Sequence, residues 1–475
     1  MSRIVVHGHF YQPPRENPWT GRIDAQPSAA PFHDWNERVH AECYRPTAFS
    51  TIPTEPGDRV VNNFERLSFN VGPTLLAWME KADPQTYGRI IEADRLSLHR
   101  LGHGNAMAQA FHHTILPLST LRDVRTQVRW GLADFRYRFG RDPEGMWLPE
   151  TAASDNVLGV LIEEGLRFTI LAPGQARGAV DTRTPHRYLH RDGSGRSLAL
   201  FFYDGDIARS IAFERAGSSA EGFIRLFESR LGERQHLIHA ATDGETYGHH
   251  HIFTDLGLAY ALFIEAERRG IEVTNYSAYL DGHPPQDDVR IRGGEGSSWS
   301  CAHGVGRWTR DCGCSTGGDP GWNQSWRGPL RAALDIVRDA ADNVFQRMGA
   351  ALFKNPWEAR DHYVDVVIGR TEWDELIARE ASGPLDDAAR KTAQALLQLQ
   401  ESSMSMFTSC GWFFNDIGGI ETIQILRYAA RTLDLMESLD QPTPEKAMLE
   451  QLEQAKSNDP ELGTGADVYR QTARV

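Results

Sequence analysis

From Ile4 to about residue 290, short runs of β-branched and aliphatic residues alternate with longer stretches of helical spacing. The clearest short runs lie at residues 4–6, 168–171, 198–203 and 237–241, each of a length suited to a buried strand. Between them, residues 121–139 and 255–269 place apolar side chains at three- and four-residue steps. Such alternation predicts βαβ units around a parallel sheet, open or closed into a barrel. Several runs end in polar chemistry: His7 and His9 after the first, Asp204 after Tyr203, Asp243 after Ala241. In parallel α/β folds the ligand site lies at the carboxyl ends of the strands, so these polar residues fall where a site belongs.

The texture changes at about residue 281. Residues 281–328 are rich in Gly, Ser, Trp and Cys and show no sustained period. Irregular segments of that length are either functional or disordered, and the four tryptophans Trp299, Trp308, Trp322 and Trp326 argue for order. An ordered lid or cleft wall is the expectation. Beyond Pro329 the period becomes helical. Leu330, Leu334, Val337, Ala341, Val344 and Met348 form one stripe; Leu385, Ala389, Leu396 and Leu399 a second; Ile423, Leu426, Ala430 and Leu433 a third. The expected organisation is a barrel over residues 1–290, a lid or wall over 291–328, a helical bundle over 329–460, and a frayed tail over 461–475.

The chain has 475 residues and a formal charge of −14, from 50 Lys and Arg against 64 Asp and Glu. An acidic surface repels phosphate backbones and anionic headgroups, so neither a nucleic-acid nor a membrane partner is expected. No apolar run approaches the ~20 residues of a bilayer span, and Met-Ser-Arg leads directly into a strand, which reads as a cytoplasmic protein. Five cysteines, an odd number, do not make a disulfide scaffold. Cys301, Cys312 and Cys314 crowd together. The single residue inside Cys312-Gly313-Cys314 is tighter than zinc-knuckle spacing, so buried free thiols are expected there, with no metal and no cofactor.

Four patches carry candidate chemistry. In His7-Gly8-His9-Phe10-Tyr11-Gln12-Pro13-Pro14, two histidines one residue apart on a strand face the same way. Gly102-His103-Gly104-Asn105 is a glycine-framed turn offering an imidazole and an amide. In Trp147-Leu148-Pro149-Glu150 the glutamate sits in a partly apolar setting, which raises a carboxyl pKa; alone it reads equally well as the first acid of a helix over 151–163. Asp243-Gly244-Glu245-Thr246-Tyr247-Gly248-His249-His250-His251 follows directly on the strand at 237–241. Two carboxylates facing one cleft meet the minimum requirement of glycoside hydrolysis, one to protonate the leaving oxygen and one to attack C1 or activate water. Trp19, Trp299, Trp322 and Trp326 can stack on pyranose faces, while Gln and His side chains can bond hydroxyls. Two other classes stay open on the residues alone. One is a metal-dependent barrel hydrolase using His7, His9 and Asp243; the other is a non-catalytic glucan-binding protein.

These patches, in this order, resemble the signature regions of glycoside hydrolase family 57, the α-glucan-active family of amylases, 4-α-glucanotransferases and glycogen branching enzymes. His7 to Pro13 resembles the first region, interrupted by Phe10 and Tyr11; Gly102 to Asn105 the second; Gly145-Met146-Trp147-Leu148-Pro149-Glu150 the third; Asp243 to His249 the fourth. Gly294-Glu295-Gly296-Ser297-Ser298-Trp299 is similar to the tryptophan-bearing segment after the barrel. The C-terminal part, with the cysteine cluster and Ser409-Cys410-Gly411-Trp412-Phe413-Phe414-Asn415-Asp416, resembles a bacterial subgroup with a distinct helical part. The resemblance implies an α/β fold, an incomplete (β/α)7 barrel followed by a mostly α-helical C-terminal domain, and retention of anomeric configuration. It implies Glu150 as nucleophile and Asp243 as general acid/base. His7, His9, Gln12, Trp19, His103, Trp147, His249, Trp299, Trp322 and Trp326 would then bind an α-glucan, with Glu245 orienting a neighbour in that site.

Overall fold

The computed structural model describes residues 2–55, 57–232 and 236–474. The chain divides into two compact units. The first comprises Met1–Gln12, Ala25–Gln109 and Phe135–Gly294; the second comprises Pro13–Asp24, Ala110–Asp134 and Glu295–Val475.

The first unit is built on a ring of seven parallel strands, β1 (Ser2–Phe10), β2 (Ser68–Val71), β3 (Ala108–Gln109), β4 (Met146–Trp147), β5 (Phe168–Leu171), β6 (Ser197–Phe202) and β7 (Leu237–Asp243), with a further short parallel strand, Ile271–Val273, beside the start of β1. β1 pairs with β7 from Arg3↔Leu237 to His9↔Asp243, and with β2 from His7↔Ser68 to Phe10↔Val71. A bridge at Phe69↔Ala106 links β2 to β3, β3 pairs with β4, a bridge at Gly145↔Phe168 links β4 to β5, and β5 pairs with β6. The backbone N–H of Asp204 donates to His239 O at 2.8 Å and closes the ring between β6 and β7. Seven strands instead of eight make this an incomplete relative of the (β/α)8 barrel. Ile4, Val5 and Val6 are fully buried, as expected of a strand covered on both faces.

Of the strands, β2, β3 and β4 escape a reading of hydrophobic runs. They have four, two and two residues, and their polar members Asn70 and Gln109 are buried. The 255–269 helix is present but broken into Thr254–Tyr260, a π-turn at Ala261–Glu265, and Ala266–Arg268.

In the second unit the three anticipated stripes become helices Arg327–Leu352, Asp387–Ser405 and Ile420–Ser438, which pack on one another. Their apolar faces, with Trp130, Phe345, Leu396 and Leu399, form a buried core. Two sequence expectations need correction. The tail is not frayed: Gly465–Val468 and Tyr469–Ala473 are helical, and Ala466, Val468, Tyr469 and Ala473 are buried, because this short polar stretch carries enough apolar surface to dock. The second unit also takes in Pro13–Asp24 and Ala110–Asp134. Both follow directly on barrel strands, so chain order alone assigned them to the barrel. Among the described residues no helix is long and apolar enough to cross a membrane.

Candidate active site

The carboxyl ends of the parallel strands bring His9, Asn70, Gln109, Trp147 and Asp243 into register. His9 lies opposite Asp243 on one side and Asn70 on the other, and Gln109 lies opposite Trp147. Asn70 organises this layer. Its Oδ1 accepts from His7 Nε2 at 3.1 Å, and its Nδ2 donates to His9 Nδ1 at 2.8 Å and to Gln109 Oε1 at 2.6 Å. His7 Nδ1 in turn accepts from Ser68 Oγ at 3.1 Å. This pattern places the proton of both imidazoles on Nε2. Burial pushes both rings down to about 3, so both are neutral near pH 7. Gln109 Nε2 is a buried donor with no hydrogen-bond partner among the described residues.

Glu150 follows β4 in a short 3-10 turn, Pro149–Thr151. Its φ is 56°, and the next residue, Thr151, has φ 49°. Two consecutive non-glycine residues in the left-handed region are strained, at a cost of order 1–3 kcal/mol each, and persist only where the surroundings hold them. Gln175 supplies that hold. Its Oε1 accepts from Thr151 Oγ1 and from Ala172 N–H, both at 2.8 Å, and its Nε2 donates to Thr151 O at 2.7 Å. The helix that follows begins only at Asp155, capped by Ser154, so Glu150 is not a helix N-terminal acid. The turn aims a carboxylate; it does not feed a dipole.

Asp243 ends β7. Its side chain keeps solvent contact although protein surrounds it densely. Burial pushes its carboxyl well above the ordinary range, and the negative charges of Glu245 and Glu150 push it further. Glu150 is therefore near enough to act on Asp243 electrostatically. Among the described residues no Lys or Arg lies within ion-pair distance of Asp243 or Glu245. Glu245 is buried and raised to about 7, chiefly by that burial. It accepts from Tyr44 O–H at 2.5 Å and from Tyr11 N–H at 3.1 Å, while Gln12 Nε2 donates to Tyr44 Oη at 3.1 Å. A Cβ on Gly244 would run into the Phe10 ring, so only glycine lets the chain turn here between the two acids. Tyr203 sits near enough to Asp243 for that charge, added to burial, to raise its phenol.

The structure thus brings His7, His9, Gln12, Glu150, Asp243 and Glu245 together in one unit with Asn70, Gln109, Gln175, Tyr44 and Tyr203, which the sequence reading passed over. Gln175 could have been flagged, since Ala172-Pro173-Gly174 is a turn signal at a strand's carboxyl end; Tyr44 carries no such signal. His249 is half-buried, paired through Nδ1 with the Glu42 carboxylate and edge-on to Trp35 at 6.0 Å.

Other expectations fail. Trp147 is fully buried, with His7 and His9 stacked on it at 4.7 and 5.1 Å; it supports the histidines and offers no face to a sugar. Trp326 is likewise wholly buried, bonded through Nε1 to Gln324 Oε1. His103 precedes β3, at the amino-terminal end of the strands, and its ring nitrogens go to Glu144 at 2.7 Å and Asp281 at 2.9 Å. Asp204 caps the helix Gly205–Phe213. Trp19 is partly exposed with Nε1 on Asp434, Trp299 is half-buried, and Trp322 is exposed; all three belong to the second unit. The metal-hydrolase constellation does not form, because both ring nitrogens of His7 are engaged by Ser68 and Asn70.

The pattern of glycosyl hydrolase family 57 matches residues 6–292, and that of a domain of unknown function (DUF3536) matches residues 322–475. Among solved structures, an exo-type maltose-forming amylase from Pyrococcus sp. ST04 superposes with a TM-score of 0.72 at 16% identity, over 98% of this chain and 90% of that one. A family 57 branching enzyme from Pyrococcus horikoshii gives 0.58 at 15% identity over 98% and 96%. A 4-α-glucanotransferase from Thermococcus litoralis gives 0.56 at 15% identity over 92% and 60%. At such identities the likeness is one of fold. No curated protein sequence matches the chain.

Proposed function

The chain belongs to glycosyl hydrolase family 57, and on that premise we propose that it acts on α-glucans by double displacement, with Glu150 as nucleophile and Asp243 as general acid/base. The observation that carries this reading is the electrostatic pairing of the two acids. Glu150 sits in a strained turn, while burial and two negative neighbours push the Asp243 carboxyl well above its ordinary range. A protonated carboxyl delivers its proton to the departing glycosidic oxygen as Glu150 attacks C1 and the glycosyl-enzyme forms. The resulting Asp243 carboxylate then takes a proton from the acceptor hydroxyl, whose oxygen displaces Glu150. Neutral His9 and the Gln109 amide nitrogen supply donors for sugar hydroxyls. Glu245, held by Tyr44 and Tyr11, sets the field at Asp243 and does not react. Trp299 and Trp322 remain proposed sugar-binding residues.

The acceptor decides the reaction: water gives hydrolysis, a sugar 4-hydroxyl disproportionation, a 6-hydroxyl branching. The amylase, transferase and branching enzyme that share this fold supply the three alternatives. Incubation with amylose and maltooligosaccharides, followed by product-length and linkage analysis, separates them. Reducing ends rising with every bond broken mean hydrolysis; redistribution without new ends means transfer. Absence of any turnover on these substrates, with glucan still bound tightly, would replace this reading with a binding protein.

A further inference from the structure

We propose that Cys301, His303, Cys312 and Cys314 hold one zinc ion in a closed, structural site of three thiolates and one imidazole in the second unit. Their ligand atoms all lie within 4.8 Å of one another. Cys301 Sγ is 3.8 Å from Cys312 Sγ and 3.8 Å from Cys314 Sγ, and Cys314 Sγ is 3.6 Å from His303 Nδ1. A tetrahedral zinc with Zn–S of about 2.3 Å and Zn–N of about 2.0–2.1 Å requires S···S edges of about 3.8 Å and S···N edges of about 3.6 Å. These three contacts match those edges. They are too long for disulfides, whose sulfurs lie about 2.05 Å apart. A donor set of three sulfurs and one nitrogen selects zinc over harder cations, and four protein ligands leave no open position for catalysis.

The surroundings carry the same conclusion independently. Arg307 and Arg327 are buried, and among the described residues no carboxylate lies within ion-pair distance of either. Their guanidinium groups donate only to carbonyls: Arg307 to Phe413 O and Ser300 O, Arg327 to Cys314 O at 2.8 Å and to Phe413 O and Phe414 O. Asp311 acts on Arg327 only from beyond ion-pair distance, and buried cations without a paired counter-charge are costly. Zinc with three thiolates and one neutral imidazole carries one net negative charge beside them and offsets that cost. Backbone N–H groups of His303 and Arg307 donate to Cys301 Sγ, and that of Cys314 to Cys312 Sγ. The spacing that looks too tight in the sequence is relieved by Gly313, whose φ of 80° reverses the chain so that both flanking thiols turn inward. Over residues 295–326 the only helical or strand element among the described residues is the turn Gly306–Trp308. Metal binding would replace the missing backbone ladder as the source of its order.

The test uses the full-length protein purified under reducing conditions with zinc in the medium and no chelator. Metal analysis is expected to find about one zinc per chain. Replacement by cobalt is expected to produce a thiolate-to-cobalt charge-transfer band and intense tetrahedral d–d bands. The Cys312→Ser/Cys314→Ser double variant should lose the zinc, while Cys410→Ser should keep it, and His303→Ala should shift the d–d bands with the thiolate band retained. Cobalt uptake without a thiolate band, zinc held equally by the double variant, or a protein that takes up neither metal would overturn the proposal. If the double variant does not fold, the cobalt spectrum of the unaltered protein still decides. Glu150→Gln should retain full zinc, which separates this site from the catalytic reading.

Discussion

Two acidic centres in this molecule are treated in opposite ways. In the helical unit, Asp123 faces a fully buried Arg360, whose Nη1 donates to Asp123 Oδ1 and Gln400 Oε1 at 2.8 Å and whose Nη2 donates to Thr126 Oγ1 at 2.7 Å. Charge meets charge and both Nη donors have partners, so the arrangement is a structural tie between distant segments. At the carboxyl ends of the barrel strands, Asp243 and Glu245 have no Lys or Arg within ion-pair distance among the described residues, and Glu150 adds a third acid. The consequence is a carboxyl whose pKa is pushed up, which is unfavourable for stability at high pH and suits the proposed acid role.

That contrast is open to direct attack, beginning with the largest effect. Glu150→Gln should lower kcat by about 10⁴-fold or more while leaving thermal unfolding intact. Near-normal turnover on the true substrate would remove the nucleophile assignment. Asp243→Asn keeps the shape but not the proton and should cost about 10²–10⁴-fold, least for substrates with good leaving groups. In the other centre, Arg360→Ala strands Asp123 and should cost about 3–5 kcal/mol in urea unfolding, with kcat unchanged at temperatures where the variant is folded. A loss of kcat at undiminished stability would break the division between the two centres.

Gln175→Ala releases the clamp on the left-handed turn, and misplacing the Glu150 carboxylate should lower kcat by up to about 10²-fold at little cost in stability. The smallest effect sharpens the electrostatic argument. Asp243 must be protonated to act, so the rate falls as pH rises through its elevated pKa. Glu245→Gln removes one of the charges holding that pKa up, and the alkaline limb of kcat/KM should move to lower pH. A limb that stays in place would show burial alone sets Asp243.

Much of the barrel was readable because its longer strands are continuous apolar runs; 168–171 coincides with β5 and 237–241 lies within β7. β3 and β4 were not, since two residues have no period, and their existence depends on neighbours that pair with them. The acids Glu150 and Asp243 were legible as motif residues. Trp147 was misread because a tryptophan beside a catalytic motif looks like a sugar platform until His7 and His9 are seen covering it. Trp326 and His103 failed for the same reason, as burial and paired ring nitrogens leave no trace in local composition.

What the chain order alone determined is which elements form and which residue types arrive at strand ends, because hydrophobic period and turn chemistry act over a few neighbouring residues. Only the folded arrangement decided that Glu150 would be strained, that Gln175 would restrain it, that the Asp243 pKa would be pushed up, and that His303 would join three thiols. Each of those properties is an energy of a group among atoms brought in from distant positions. Coulomb interaction, desolvation and steric restraint all depend on distance through space, which the order of residues does not contain.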